Sequence, residues 1–180
     1  GFENLSALQT AECIKSIVAE YDDVHIVLVG DDRANIMATG FKHPRIHNRC
    51  VEWPIRISMS VCELADLVIG TETGLLNAAG HMDVPKIVML SHSSPENLTK
   101  HWKNTTAIEP VDTPCYPCHI LHKSFEFCHE VKPPEAVIQW AKERGIEPVG
   151  TSLCMENISA QMVFSAVQRV FGEVQSQKAA

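Results

Sequence analysis

The sequence lacks three features that would each assign it to a broad class of protein. It has no basic excess, since 15 Lys and Arg stand against 22 Asp and Glu, for a formal charge of −7. Such a chain has no broad basic surface to neutralise phosphates, so we expect no nucleic-acid partner. No run approaches the ~18 consecutive apolar residues of a membrane span, and the opening "GFENLSALQT" lacks the basic-then-apolar pattern of a signal peptide. We therefore expect no transmembrane segment and a cytoplasmic location.

Short apolar runs alternate with helical patterns along the first two thirds of the chain. Runs at 24–30, 49–53, 66–70, 84–90 and 105–111 predict strands. Helices are predicted at 4–20, with Leu8 on the apolar face, from Ser58 through 65, at 74–81, at 135–145 and at 158–174. Near-continuous apolar strands joined by short helical crossovers are typical of a parallel sheet that is covered on both faces. The pattern predicts an α/β fold with a right-handed, Rossmann-like, doubly wound parallel sheet.

Polar residues gather at three places where a predicted strand ends, at 30–33, 71–74 and 91–94. Ligands bind beyond the carboxyl ends of the strands in such sheets. At the second place, Gly74 allows close approach of a ligand, Thr73 offers a hydroxyl, and the N–H groups of the helix start suit a diphosphate. Because a carboxylate repels phosphate, we predict that Glu72 accepts hydrogen bonds from sugar hydroxyls. The alternative is that Glu72 and Thr73 only stabilise the helix start.

The seven cysteines fall into two groups. Three lie within apolar patterns and are predicted to be buried thiols of a reducing compartment; they are Cys13, Cys50 and Cys62. The other four follow the strand region and are interleaved with histidines; they are Cys115, Cys118, Cys128 and Cys154. This second group holds one CxxC pair and enough soft ligands for a tetrahedral zinc site. Its interpretations are structural thiols or an opportunistic disulfide, a structural zinc, and a redox role.

Several segments in a fixed order resemble one enzyme family. They are "ELADLVIGTETGLLNAAGHMDVPKIVML", a Ser/Pro loop, "CYPC", and "CMENISAQMVFSAV". Together they resemble the C-terminal half of glycosyltransferase family 9, the heptosyltransferase-like enzymes of lipopolysaccharide synthesis, over about residues 20–128 and 153–172. The resemblance implies the C-terminal, donor-binding lobe of a GT-B fold, with residues 1–180 as one nucleotide-sugar-binding domain. Residues 115–152 are then a Cys-rich segment with an insertion inside that domain.

The resemblance also implies which residues touch the donor. Glu72, Thr73, Gly74 and Leu75 fall on the family's acid-Thr-Gly-Leu motif, with Glu where Asp is more usual. The further positions implied are Asn77, where the family commonly has His, Gly30 and Asp31 after the first strand, and His92 and Ser93 in the loop after residue 90. The cysteines then need no metal, because family members often carry a Cys-x-Pro-Cys segment and later cysteines.

The implied activity is inverting, metal-independent transfer from a nucleotide-diphospho-sugar, such as ADP-heptose, which is a substrate and not a cofactor. The chain has no Asp-x-Asp motif. In the family a preceding lobe holds the glycan or lipid-linked acceptor and supplies the base, so no catalytic residue is assigned here. Such an enzyme is cytoplasmic and peripheral at the inner face of the membrane. Two alternatives are a non-catalytic nucleotide-sugar-binding module and a zinc-stabilised interaction domain.

Overall fold

A computed structural model describes residues 5–120, 128–145, 147–148 and 150–178. Its elements alternate as the sequence predicts, with a helix between each of the first strands and the next. In chain order they are α1 (Ala7–Glu20), β1 (Ile26–Leu28), α2 (Asp32–Ala38), β2 (Ile46–Asn48), α3 (Ile55–Leu64), β3 (Val68–Thr71), α4 (Gly74–Ala79), β4 (Lys86–Met89), a π-helix (Pro95–Thr99), β5 (Thr105–Ile108), β6 (Glu130–Val131), α5 (Glu135–Lys142), β7 (Thr151–Ser152), α6 (Leu153–Glu156) and α7 (Ala160–Lys178).

The strands form parallel ladders, which confirms the predicted α/β class. Strand β1 pairs with β2, and β4 lies between β3 and β5. In the central ladder Ile69 stands opposite Ile87, which stands opposite Thr106. In a complete doubly wound fold the parallel strands form one hydrogen-bonded sheet. Here they form two separate ladders, one of two strands and one of three. A separate antiparallel ladder joins β6 to β7.

Two elements differ from the sequence prediction. The strand expected at 49–53 lies earlier, at Ile46–Asn48, because the Asn48 side chain accepts a hydrogen bond from the N–H of Cys50 at 2.9 Å and turns the chain. Val51 then has φ 56, in the left-handed region, which no strand allows. Helix α3 begins after Pro54 and not at Ser58, which is buried inside the helix. Pro54 itself is the N-cap residue, with extended backbone angles.

Helices α1 and α7 cover one side of the central ladder and form the larger core with it. The prediction for α1 placed Leu8 on the apolar face, but Leu8 is 47% exposed whereas Gln9 is 9% exposed. The Gln9 side chain completes a capping box with Ser6, and its amide nitrogen donates to the carbonyls of Glu156 at 2.8 Å and Ile158 at 2.9 Å. A polar side chain on the buried face therefore joins α1 to the α6–α7 turn.

A smaller core lies around α4, on the face of the central ladder opposite to the larger core. Gly80 follows α4 and lies so close to Trp102 that a Cβ there would be 2.6 Å from the indole ring. Lys86 in β4 is fully buried, and its ammonium group donates to the carbonyls of Met82 at 2.9 Å and Lys103 at 2.5 Å. Burial lowers the pKa of Lys86. The two contacts hold the turn before β4 and the segment before β5 against this buried ammonium group.

Across the described ranges, no helix combines the length and apolar character that crossing a bilayer requires.

Candidate functional site

The turn from β3 into α4 places a threonine and a glycine at the carboxyl edge of the central ladder. Thr73 is the N-cap residue of α4, and its hydroxyl accepts a hydrogen bond from the N–H of Leu76 at 3.5 Å. Gly74, the first helical residue, is exposed, and a Cβ built on it meets no atom within 4 Å. The fold therefore does not need glycine here for internal packing. Glycine would also allow a ligand to approach the backbone closely at this position, and no described contact blocks that approach.

Glu72 lies beneath this turn, and its carboxylate bonds to the neighbouring loop. The side chain is 2% exposed. One carboxylate oxygen, Oε2, accepts from the N–H of Ser91 at 2.8 Å and of His92 at 3.0 Å, while Oε1 accepts from the N–H of Ser93 at 2.9 Å. The Ser91 hydroxyl donates to Oε2 as well, at 2.5 Å. Hydrogen bonds to an ionised acceptor are the stronger kind, so Glu72 holds the loop after β4 firmly against the end of β3.

The side chain of His92 lies beside the same carboxylate. Its Nδ1 atom is 2.9 Å from Oε2 of Glu72 and 3.1 Å from the Ser91 hydroxyl oxygen. The His92 side chain is 24% exposed, which leaves part of the ring at the surface.

The structure brings together some of the predicted site residues and separates others. Glu72, His92 and Ser93 are joined by direct hydrogen bonds, and Thr73 and Gly74 adjoin them in the chain. Leu75 is half-buried and Asn77 is exposed on α4.

Gly30 and Asp31 stand at the end of β1, in the other parallel ladder. A Cβ on Gly30 would lie 2.4 Å from the Cβ of Ala34, so close packing of α2 on the turn requires glycine. The Asp31 carboxylate accepts from the N–H of Ala34 at 3.1 Å and caps α2. The contacts described at this turn thus have structural roles, and a nucleoside contact there stays a prediction.

Sequence reasoning did not single out two residues beside this site. Ser91 was seen only as part of a polar loop, yet it gives Glu72 two hydrogen bonds. Tyr116 packs against the smaller core, and its hydroxyl donates to the Glu109 carboxylate at 3.1 Å. Burial, and after it the charges of Glu109, Glu72 and Cys154, raises the pKa of Tyr116. Tyr116 thus lies between the smaller core and the Glu109 carboxylate, an arrangement that no local sequence pattern indicates.

Among the described residues, none of the seven cysteines forms a disulfide. Cys13, Cys50 and Cys62 are buried, as predicted, whereas Cys115 is exposed and Cys154 is buried. Burial raises the pKa of Cys13 to about 11. A high pKa makes a thiol a poor nucleophile at neutral pH, which is the behaviour of a core residue.

Neither models of protein families nor curated protein sequences give a match to this chain. Among solved structures, the chain is similar to the E. coli ADP-heptose LPS heptosyltransferase II, with a TM-score of 0.66 and 13% sequence identity. The match covers 97% of this chain and 44% of that enzyme, so the chain spans less than half of the enzyme's length. At this identity the similarity concerns the fold. The chain has a Rossmann-like α/β fold of the kind that forms a lobe of a GT-B glycosyltransferase.

Proposed function

We propose that this chain is the donor-binding lobe of a glycosyltransferase and that it binds a nucleotide-diphospho-sugar. The observation that carries the proposal is the fold similarity to heptosyltransferase II over 97% of the chain. It is supported by the position of the β3–α4 turn, because parallel α/β sheets bind ligands beyond the carboxyl ends of their strands. It is also consistent with the exposed Gly74, which no described packing contact requires.

In this proposal the diphosphate lies over the β3–α4 turn. Gly74 lets the phosphate oxygens approach the backbone, and the hydroxyl of Thr73 lies beside them. The backbone N–H groups of Ser91, His92 and Ser93 all point to Glu72, so these three amides are not the phosphate ligands. In the loop after β4, the side chains of His92 and Ser93 would face the donor. The side chain of Asn77 would face it from α4.

Glu72 acts on the donor through the loop in this proposal. Its carboxylate shapes the loop through the hydrogen bonds from Ser91 to Ser93. The side chain is 2% exposed, so in this arrangement the loop and not a sugar hydroxyl occupies the carboxylate oxygens. A direct contact between Glu72 and a sugar hydroxyl stays a prediction from the sequence.

The reaction proposed for the whole enzyme is an inverting transfer. An acceptor hydroxyl loses its proton to a base, its oxygen bonds to the anomeric carbon, and the bond from that carbon to the diphosphate breaks. The base and the acceptor site belong to the second lobe of a GT-B enzyme. The 180-residue chain should therefore bind a donor such as ADP-heptose and catalyse little when it is alone.

Thermal unfolding in the presence of ADP-, UDP-, GDP- and CMP-sugars tests this function. A ligand that binds only the folded state at about 100 times its Kd stabilises that state by about 2.7 kcal/mol. We expect one nucleotide class to raise Tm and the Thr73→Ala variant to reduce that increase. Thr106→Ala, a change of the same kind in β5, is the control and should keep the increase. If no sugar nucleotide raises Tm, the donor-lobe proposal fails.

A further inference from the structure

A hydrogen bond between two histidine rings joins β1 to β2. We propose that this histidine pair, His25 and His47, is a proton-sensitive contact that holds the β1–β2 ladder together at neutral pH and releases it when both rings are protonated. His25 directly precedes β1, and His47 is the middle residue of β2. The proposal does not depend on donor binding, because it concerns other side chains and has its own readout.

The two rings face each other edge to edge. Nδ1 of His25 lies 2.9 Å from Nε2 of His47, which is a normal hydrogen-bond distance. The ring planes differ by 9°, and the ring centroids are 5.2 Å apart. This is about the largest centroid separation that a 2.9 Å contact between ring nitrogens permits, so the two nitrogens point at each other along the line between the rings. One nitrogen must therefore donate a proton and the other must accept it.

The number of protons that the pair can hold follows from this geometry. A neutral imidazole has one N–H donor and one acceptor nitrogen, and the bond between the rings uses one of each. One extra proton can go to the outer nitrogen of the donor ring, which turns the contact into a charge-assisted hydrogen bond. A second extra proton places an N–H on both facing nitrogens, and two donors cannot bond to each other. The bond therefore breaks when both rings are charged.

The sign of the pH dependence follows from this count. In the unfolded chain each ring takes up its own proton as the pH falls through the range in which imidazole titrates, about pH 8 to 5. The folded chain with the bond intact holds only one extra proton for the pair. The unfolded state thus binds more protons at low pH, so the stability that the pair contributes is present at neutral pH and is lost as the pH falls.

The pair matters to its ladder because the ladder is short. Strands β1 and β2 have three residues each, and within the described ranges they pair only with each other. An isolated two-stranded hairpin is only marginally stable, and this parallel ladder has no more strands than that. Val27, which stands opposite His47 in the register, is 40% exposed, so the face of the ladder that carries the pair is open to water. Protons therefore reach both rings from the solvent.

The charged groups on the neighbouring segments do not take over the role of this bond. Asp22 and Asp23 are exposed in the turn before β1, and neither forms a described ion pair with the rings. Before β2, the Arg45 guanidinium donates to backbone carbonyls of residues 18–24, at and after the end of α1. Nδ1 of His43 accepts from the N–H of Arg45 at 3.2 Å, so His43 is a second proton-sensitive contact beside the pair. The test must separate the two.

Release of the pair should extend to the turn at the end of β1. The N–H of Arg49 donates to the carbonyl of Leu28 at 2.8 Å, and the N–H of Val51 donates to the carbonyl of Gly30 at 2.9 Å. These bonds continue the pairing of the two segments toward Asp31. In the central ladder, by contrast, β4 is paired on both sides. We therefore expect acid to loosen the β1–β2 ladder and its turn before it affects the central ladder.

NMR titration of the histidine rings in the full 180-residue chain tests the proton count. The Cε1–H signals of the unaltered chain are followed from about pH 8 to about pH 4.5, and His25→Ala and His47→Ala assign the two signals. Because interacting groups titrate as a pair, the two rings should take up protons in two separate steps. In each variant the remaining ring should titrate in one step. A single step for both rings in the unaltered chain, at the midpoints of the single variants, overturns the proposal.

A double-mutant cycle tests the contribution of the pair to stability. Unfolding equilibrium constants are measured at about pH 7.5 and about pH 5 for the unaltered chain, both single alanine variants and the double variant. The cycle cancels the effect of His43. We expect a favourable coupling of about two- to tenfold in the folding equilibrium constant at the higher pH, and none or an unfavourable one at the lower pH.

The matched control cycle pairs His25 with His101, an exposed histidine of another segment, and should show no coupling at either pH. Absence of coupling between His25 and His47 at about pH 7.5, or the same favourable coupling at both pH values, contradicts the proposal. Where a variant does not fold, the ring titration of the unaltered chain still decides between one step and two.

Discussion

Glu72 and Ser91 join the ends of two neighbouring parallel strands. Ser91 donates two hydrogen bonds to one oxygen of the buried Glu72 carboxylate, from its N–H at 2.8 Å and from its hydroxyl at 2.5 Å. The residues are 19 positions apart in sequence. The contact makes the β3–α4 turn and the loop after β4 into one rigid edge, and this edge is where the proposed donor binds.

Replacement of Glu72 should destabilise the chain because it removes the acceptor for three backbone N–H groups. In Glu72→Gln the amide nitrogen faces one or more of these donors. We expect a loss of about 1–3 kcal/mol in the free energy of unfolding, the cost of leaving a buried polar group unpaired. Urea denaturation measures it. Glu96→Gln, at an exposed ion pair with Lys100, should change stability by less than about 0.5 kcal/mol. Equal effects of the two variants would contradict the role given to Glu72.

Gln9 should be as important to the larger core as an apolar residue. Gln9→Ala removes its bonds to the carbonyls of Glu156 and Ile158 and to the N–H of Ser6. The expected cost is about 1–3 kcal/mol, since these polar groups become unpaired at a buried contact. The control is Gln161→Ala on exposed α7 surface, with a change of less than about 0.5 kcal/mol. Chemical denaturation of both variants checks the difference.

Stability should fall as the pH rises above 9, in part because of Cys13. The unfolded thiol ionises near the ordinary value of 9.0, whereas burial keeps the folded thiol protonated up to a pKa of about 11. The folded state therefore binds more protons in this window, so its advantage is complete below pH 9 and is lost as the pH approaches 11. The two-unit difference corresponds to about 2.7 kcal/mol.

Unfolding of the reduced protein at about pH 8 and about pH 10.5 measures this loss. Cys13→Ala should show a smaller decrease than the unaltered chain. The comparison is needed because Lys86, whose pKa is lowered by burial, acts in the opposite direction. An identical pH dependence in both proteins would show that Cys13 does not ionise in this way.

Gly80 should resist even the smallest substitution. Gly80→Ala places a methyl group 2.6 Å from the Trp102 ring, which is partly buried and packed against the smaller core, so the ring must shift. Overpacking of this kind costs about 1–3 kcal/mol. The matched control is Gly172→Ala in α7, where a Cβ meets nothing within 4 Å and where alanine favours the helix. The melting temperature should fall for the first variant and stay or rise for the second.

The sequence predicts the parts of this fold that depend on local patterns. The alternation of strands and helices and the turn at Thr73 and Gly74 follow from apolar runs and capping residues, and the structure confirms both. The strand at Ile46–Asn48 was misplaced because "RCVEW" has a strand-like composition, whereas the Asn48 side chain turns the chain before it.

Contacts between distant segments could not be predicted. The apolar period of α1 suggested Leu8 for the core, but three carbonyls at the α6–α7 turn require the Gln9 amide instead. The hydrogen bonds of Glu72 are a second contact that the sequence did not predict. Its partners lie in the loop after β4, and no residue near Glu72 in sequence indicates them.

Titration calorimetry of sugar nucleotides with the unaltered chain and with Gly74→Ala tests the donor-lobe account most directly. A Cβ at position 74 contacts nothing in the fold, so the variant should be as stable as the unaltered chain, with Gly172→Ala as the control. The account predicts saturable binding of one of the ADP-, UDP-, GDP- or CMP-sugars, weakened at least about tenfold, or 1.4 kcal/mol, by Gly74→Ala. Absence of saturable binding to all four, or equal affinity in the variant, would contradict it.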